Sequence, residues 1–212
     1  MPSTKQERGR RLFAAFVIAV ASACLTAGPA FSVPAKKMAM WLFIIADTAT
    51  FAACLVAYGF IRNATPNWPR PFHSITNVAI MTFILVTSSL TMLIGVRAAH
   101  AGDKAGALRW TFITAAAGIV FALLHVREWL GLIAEGMTLF KNPWGTGLFG
   151  AAFFSITGLH LTHVAGGVIA LIAVGIRYRG GRYNADDLEI LGLYWHFVDL
   201  VWVFIFAFFY LW

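Results

Sequence analysis

Histidines and acidic residues occur inside long apolar runs of this chain, where ionisable groups are costly to bury. His196 and Asp199 lie three positions apart in the apolar segment 194–212, so a helix places them on one face. At such a depth, imidazole and carboxyl groups bond to neighbouring helices, meet lipid headgroups or line proton paths. The chemistry they offer is proton exchange, because imidazole takes up and releases protons near neutral pH.

The segment GLHLTHVAGG at 158–167 repeats this pattern one run earlier. His160 and His163 share a helix face, and Gly166 and Gly167 allow another helix to approach closely. A structural histidine pair that faces neighbouring helices is a sufficient explanation of this spacing.

Asp47 adds a carboxyl group to the first long apolar run. It lies six residues after Trp41, too deep for a loop residue at a rise of about 1.5 Å per residue. Depth counting brings Asp47 level with His163, His196 and Asp199. We call these four residues the polar seam and expect three helices to share it, although each member can also serve only as a hydrogen-bonding group between helices.

A pair of opposite charges, Arg127 and Glu128, stands in the segment HVREW near the end of the third run. Adjacent charges at a membrane interface can reach lipid headgroups by extending their aliphatic stems along the apolar surface. The pair is therefore expected to have a structural or lipid-binding role.

The composition is that of an integral membrane protein. The chain has 212 residues, of which 60% are hydrophobic and 12% charged, and its mean hydropathy is +0.77. The formal charge of +7 comes from basic residues in short connectors, a pattern that indicates membrane orientation and not nucleic-acid binding. Cys24 and Cys54 lie in apolar stretches without metal-type spacing, so they are read as packing residues.

Five runs are long enough to cross a hydrocarbon core of about 30 Å, which takes about 20 helical residues. Because backbone groups find no water in lipid, such runs must be helices. The predicted fold is an all-α, polytopic transmembrane helix bundle with five core helices. Their predicted ranges are Trp41–Ile61, Ile75–Val96, Trp110–Ala134, Leu148–Ile176 and Ile190–Trp212.

The amino-terminal region, residues 1–33, is treated as a separate part from the membrane domain at 34–212. It has a basic start, and the apolar stretch 12–33 is about one bilayer long. Two interpretations stay open: a sixth helix, or a signal segment that is cleaved.

Lysines and arginines predict the orientation. If Lys36 and Lys37 lie inside, the inner connectors carry more basic residues than the outer ones, as bacterial membrane proteins usually show. We therefore expect the amino end of the five-helix domain to be cytoplasmic and the carboxyl end to be external.

Two other functions compete for these residues. Axial haem ligands need imidazoles on facing helices at matching depth, and the candidates are His125, His160, His163 and His196. Their spacing is poor for this purpose, since His125 lies toward the other side of the membrane. A proton-coupled transporter would explain the buried acids, but the two halves of the sequence show no repeat of the kind that many transporters have.

Four motifs together resemble subunit III of haem-copper respiratory oxidases, over residues 34–212 and in the order found in that family. The family of cytochrome c oxidase and quinol oxidase subunits III has a short form without the first two of seven helices, and this chain is similar to that form. The motifs are MWLFIIADTATFAACLVAY at 40–58, LLHVREW at 123–129, NPWGTGLFGAAFFSITGLHLTHVAGG at 142–167 and YWHFVDLVWVFIFAFFYLW at 194–212.

The resemblance implies an accessory subunit with no catalytic residues and no metal ligands of its own. Haems and copper are then expected in partner subunits, and structural phospholipids around this chain. The expected partners are the catalytic subunit I, subunit II, small subunits, membrane lipids and a larger respiratory supercomplex, in a prokaryotic plasma membrane. The electron donor, cytochrome c or quinol, stays open, as does association with a nitric oxide reductase.

The resemblance also implies roles for matching positions. The polar seam (Asp47, His163, His196 and Asp199) is expected to support proton uptake by the catalytic subunit. Structural or lipid-binding roles are expected at Arg127, Glu128, His160 and Trp195. At position 125 the family often has glutamine, so no role is carried over to His125.

Overall fold

The computed structural model describes residues 34–69, 71–72 and 75–212. These residues form five α-helices, each long and apolar enough to cross a membrane, and no strand. The prediction of an all-α transmembrane bundle is therefore confirmed. The elements are α1 (Ala35–Ala64), α2 (Thr76–His100), α3 (Lys104–Ala134), α4 (Gly147–Arg179), α5 (Ala185–Phe206) and a terminal π-helical turn (Ala207–Leu211).

The amino-terminal segment 12–33, predicted to be a sixth helix or a cleaved signal, lies outside the described residues. The chain separates into two compact units, residues 1–38 and 39–212. All the packing described below lies in the larger unit. The division of the chain into an amino-terminal part, 1–33, and a membrane domain, 34–212, stays a prediction.

Four of the helices, α1, α3, α4 and α5, begin before the apolar runs that predicted them, and α2 ends four residues after its run. α5 starts at Ala185 instead of Ile190. Its first turn is held by a capping box: Asn184 Oδ1 accepts from the Asp187 amide at 3.1 Å, and Asp187 Oδ2 accepts from the Asn184 amide at 3.1 Å. This reciprocal pair satisfies two backbone donors that a helix start leaves open.

α2 and α3 form an antiparallel hairpin with a connector of three residues. Gly102 has a φ of +79°, a left-handed conformation that glycine adopts without a steric penalty. Asp103 then caps α3, its Oδ1 accepting from the Gly106 amide at 2.9 Å. The short turn keeps the serine and threonine side chains of α2 close to α3: Thr91 Oγ1 lies 2.8 Å from Thr114 Oγ1.

Trp195 of α5 is the centre of the bundle. Its side chain is fully buried, and its Nε1 donates to Ser88 Oγ of α2 at 2.8 Å. The indole lies against Gly118 of α3 and Gly167 of α4, where added Cβ atoms would come within 2.5 Å and 2.8 Å of its ring atoms. Two glycines and one serine on three helices therefore make room for one tryptophan.

α1 packs more loosely than the other helices. In the most apolar 18-residue stretch of α1, 17% of the residues are buried, compared with 50% in the corresponding stretch of the last membrane span. Its contacts are concentrated on few aromatic side chains, such as Phe51, whose ring lies edge-on to His163 and Phe197. Any function of α1 residues therefore depends on the small face that meets α4 and α5.

Gly167→Ala is expected to destabilise the bundle by about 1–3 kcal/mol, the usual cost of overpacking a core. The new methyl group would overlap the Trp195 ring, which Ser88 and Gly118 hold in place. The measurement is the thermal unfolding of the detergent-solubilised chain. Gly166→Ala is the matched control, since a Cβ there would meet only the Tyr194 hydroxyl, at 4.0 Å; equal effects of the two substitutions would contradict the role given to the Trp195 contact.

Candidate functional site

Asp47 and His163, two members of the polar seam, form a direct pair between α1 and α4. Asp47 Oδ2 lies 3.0 Å from His163 Nε2. The side chains keep 22% and 18% of their surface exposed, so the pair borders the outside of the bundle. The pair is therefore accessible from this face.

A second contact fixes the state of the His163 ring. His163 Nδ1 lies 2.8 Å from the carbonyl oxygen of Leu159, and because a carbonyl can only accept, Nδ1 must carry a proton. The contact between Nε2 and the Asp47 oxygen then needs a second proton, on either the imidazole or the carboxyl group. One hydrogen bond therefore joins the Asp47 carboxyl group to the His163 ring.

α5 completes this group through Tyr194. The Tyr194 hydroxyl donates to the backbone carbonyl of His163 at 2.9 Å. Phe51 of α1 covers the His163 ring, with centroids 5.4 Å apart. Three helices therefore meet at this point, but the contributor from α5 is Tyr194 and not the predicted His196 and Asp199.

His196 and Asp199 lie elsewhere, on the face of α5 that meets α2. His196 Nδ1 is hydrogen-bonded to Ser89 Oγ at 2.5 Å. Asp199 lies three residues further along α5 and is buried, and both its oxygens lack a hydrogen-bond partner within the described part of the chain. The predicted seam is thus two groups: Asp47 with His163, and His196 with Ser89 and Asp199.

His160 points into the aromatic core and away from the Asp47 carboxylate. It is fully buried, as is His125 of α3. Both imidazoles lie 5.2 Å from the ring of Trp202, and Phe121 contacts both. Their nitrogens have no hydrogen-bond partner in the described ranges. Because aromatic rings fill the space beside these two histidines, the arrangement favours packing over the haem alternative.

Glu128 joins the carboxyl-terminal turn to α3. Its Oε2 accepts from the Tyr210 hydroxyl at 3.0 Å and lies 3.4 Å from His125 Nδ1. Arg127 is exposed on the same helix. Of the adjacent pair predicted from the sequence, the acid therefore bonds within the bundle, and the base faces outward.

The structure also shows which functional partners the sequence reasoning missed. Ser88, Ser89, Tyr194 and Tyr210 all supply hydrogen bonds to predicted residues or to the core. The adjacent serines at 88 and 89, inside an otherwise apolar run, were a readable signal, since hydroxyl groups in membrane helices often bond across helices. Trp195, predicted as structural or lipid-binding, belongs to the core.

The chain matches the family described as cytochrome c oxidase subunit III over residues 30–212. It is 33% identical over 181 residues to cytochrome c oxidase subunit 3 of Alkalihalophilus pseudofirmus, covering 83% of this chain and 86% of that one. It is 35% identical over 177 residues to cytochrome c oxidase subunit 3 of Synechocystis, covering 80% and 72%. It is 32% identical over 175 residues to quinol oxidase subunit 3 of Bacillus spizizenii, covering 80% and 83%.

A double-mutant cycle is expected to detect the Asp47–His163 pair. Asp47→Ala, His163→Ala and the double variant should show a coupling energy of about 0.5–2 kcal/mol, in the range of hydrogen bonds between membrane helices. The measurement is the free energy of unfolding in mixed micelles. The control cycle pairs His163→Ala with Thr50→Ala, whose hydroxyl bonds to Ala46 on the exposed face; the pair would be refuted by equal coupling in both cycles.

Proposed function

Since the chain belongs to the cytochrome c oxidase subunit III family, we propose that it is the accessory membrane subunit of a haem-copper terminal oxidase. Such a complex reduces oxygen to water and couples the reaction to proton pumping. The chain would pack against the catalytic subunit I, with subunit II and small subunits completing the assembly. Relatives carry the names of both cytochrome c and quinol oxidase subunits. Because one family serves both kinds of oxidase, the electron donor would be determined by the partner chains.

The observation that carries the proposal is the Asp47–His163 pair within a chain of this family. Oxygen reduction and pumping consume protons from one side of the membrane, and a carboxylate and an imidazole joined at 3.0 Å can accept and return a proton. The pair is partly exposed, so it can exchange that proton beyond this chain. Its function would be to keep protons available to the catalytic subunit.

The group of His196, Ser89 and Asp199 supports the same function from the other face of α5. Ser89 Oγ is both donor and acceptor, so it can link the imidazole to the nearby carboxyl group. Buried ionisable side chains in membrane helices are costly and are kept where protons or ions move. This group would add capacity for protons within the bundle.

Two grooves support binding of lipid and passage of oxygen. One, of about 310 Å³, lies between α1 and α5, and its lining is almost wholly apolar, including Phe51, Leu55, Val201 and Phe204. Such a groove accepts acyl chains or molecular oxygen.

The other groove, of about 360 Å³, is lined by residues of α2 and α3, including Arg127 and Glu128. Arg127 would place a guanidinium group beside a lipid phosphate there.

The chain is proposed to be non-catalytic, with haems and copper bound by the partner subunits. His163 and His196 are hydrogen-bonded to Asp47 and Ser89. His125 and His160 pack among aromatic rings. These positions suit a structural or proton-exchanging role beside a catalytic partner subunit. The proposed setting is the plasma membrane of a prokaryote, with the start of α1 cytoplasmic and the carboxyl end external. The oxidase would assemble there into a larger respiratory supercomplex.

Purification of the natively expressed chain through a carboxyl-terminal tag is expected to recover haem-copper catalytic subunits in equal amount. Mass spectrometry and the optical spectrum of the preparation measure this outcome, and the identity of the catalytic chain names the donor. The same tag on an unrelated five-helix membrane protein is the control. Recovery of the chain alone, with a haem spectrum of its own, would contradict the accessory role.

Asp47→Asn in the assembled oxidase is expected to slow proton uptake during turnover while leaving the haem content unchanged. Asparagine keeps a hydrogen bond to His163 but cannot exchange a proton. Proton uptake is measured with a pH-sensitive dye in vesicles, and haem by optical absorption. Thr50→Val, one turn away on the exposed face of α1, serves as control. Wild-type uptake together with wild-type lipid retention in Asp47→Asn would remove the proposed role of the pair.

A further inference from the structure

Three potential metal ligands meet at the end of the bundle where α2 ends and α5 begins. His100 is the last residue of α2, and Asp186 and Glu189 lie in the first turns of α5. One ligand atom from each residue lies within 4.8 Å of the other two. The group is separate from the Asp47–His163 pair and from the group around Ser89.

The spacing of one pair of these atoms matches an edge of a tetrahedral metal site. His100 Nε2 and Glu189 Oε2 are 3.3 Å apart. Zinc binds imidazole nitrogen and carboxylate oxygen at about 2.0–2.2 Å, which in a tetrahedron puts two ligand atoms about 3.3–3.6 Å apart. This edge therefore fits, and the distances to Asp186, which are at most 4.8 Å, would shorten on binding.

The backbone around the three residues is already in place. Ala99 and Leu188, the neighbours of His100 and Glu189, are buried in one apolar cluster. One turn further along α5, Gly192 lies close to α2, where an added Cβ would come within 3.3 Å of Val96. Because α2 and α5 are held this closely, binding of a metal would order only three side chains.

The two carboxylates of this group lie on one face at the start of α5. Asp187 bonds with Asn184 in the capping box of α5, whereas Asp186 and Glu189 lie three positions apart and share a face. The His100 and Glu189 side chains keep 46% and 32% of their surface exposed. A metal ion can therefore enter from water and keep a water molecule as its fourth ligand.

We propose that His100, Asp186 and Glu189 form a binding site for a divalent transition metal of the zinc class. One imidazole and two carboxylates suit zinc better than magnesium, which prefers oxygen ligands and six-fold coordination. Two negative charges and a neutral imidazole balance the charge of the ion. The bound metal joins the end of α2 to the start of α5.

Zinc titration of the purified full-length chain in detergent, after treatment with a chelator, tests the site. His100→Ala and Glu189→Gln are expected to weaken zinc binding by about tenfold or more, because even loss of an outer-shell partner costs a metal site about 10–100-fold. Glu135→Gln, which removes an exposed acid at the opposite end of α3, is expected to leave the zinc affinity unchanged. Zinc should also raise the unfolding temperature of the wild type and not that of His100→Ala.

X-ray absorption at the zinc edge provides the second readout. The wild type should show a nitrogen and oxygen shell with one imidazole, and the imidazole signature should disappear in His100→Ala. His100→Gln, which keeps size and polarity, replaces His100→Ala if the latter fails to fold. The proposal is overturned if all variants bind zinc equally, if the imidazole signature persists without His100, or if magnesium at equal concentration displaces the zinc.

Discussion

The position of Trp195 determines how the helices of this bundle meet. In lipid no hydrophobic force drives helices together, so packing and hydrogen bonds between them decide their arrangement. The indole of Trp195 fits against Gly118 of α3 and Gly167 of α4, and it donates to Ser88 of α2. One residue of α5 thereby sets its distance to three other helices. Larger side chains at either glycine would separate α5 from a neighbour.

The polar groups follow from this arrangement. Trp195 is directed toward Ser88 of α2. The next residue of α5, His196, therefore meets the next residue of α2, Ser89. Tyr194, on the other side of Trp195, bonds to the His163 carbonyl. Three consecutive residues of α5 therefore reach α2, the centre and α4. Since Tyr194 and Phe51 both contact His163, the site of the Asp47 contact is fixed by the same packing, although α1 itself is held by few contacts.

The sequence predicted the helices well and the contacts between them only in part. Run length and hydropathy depend on the lipid and not on neighbouring helices, so five spans could be recognised. The start of α5 was placed too late, at Ile190, although Asn184 and Asp187 have the spacing of a capping box. Helical periodicity put His196 and Asp199 on one face, but which helix that face meets depends on crossing geometry set by residues such as Gly167. The four residues of the predicted seam therefore lie in two separate groups, and the π-helical turn Ala207–Leu211 was not foreseen.

The same three-residue spacing has three outcomes in this chain, and the neighbouring helix decides among them. His160 and His163 share a face of α4, yet His160 meets the ring of Trp202 and His163 meets a carboxylate. His196 and Asp199 share a face that meets a serine hydroxyl. Asp186 and Glu189 share a face near water, where His100 approaches from α2. The first two pairs lie within the bundle, where aromatic rings and hydrogen-bonding groups are their neighbours, whereas the third lies partly exposed at the helix end and is accessible to an ion. Depth in the membrane, together with the partner helix, therefore assigns different chemistry to one sequence pattern.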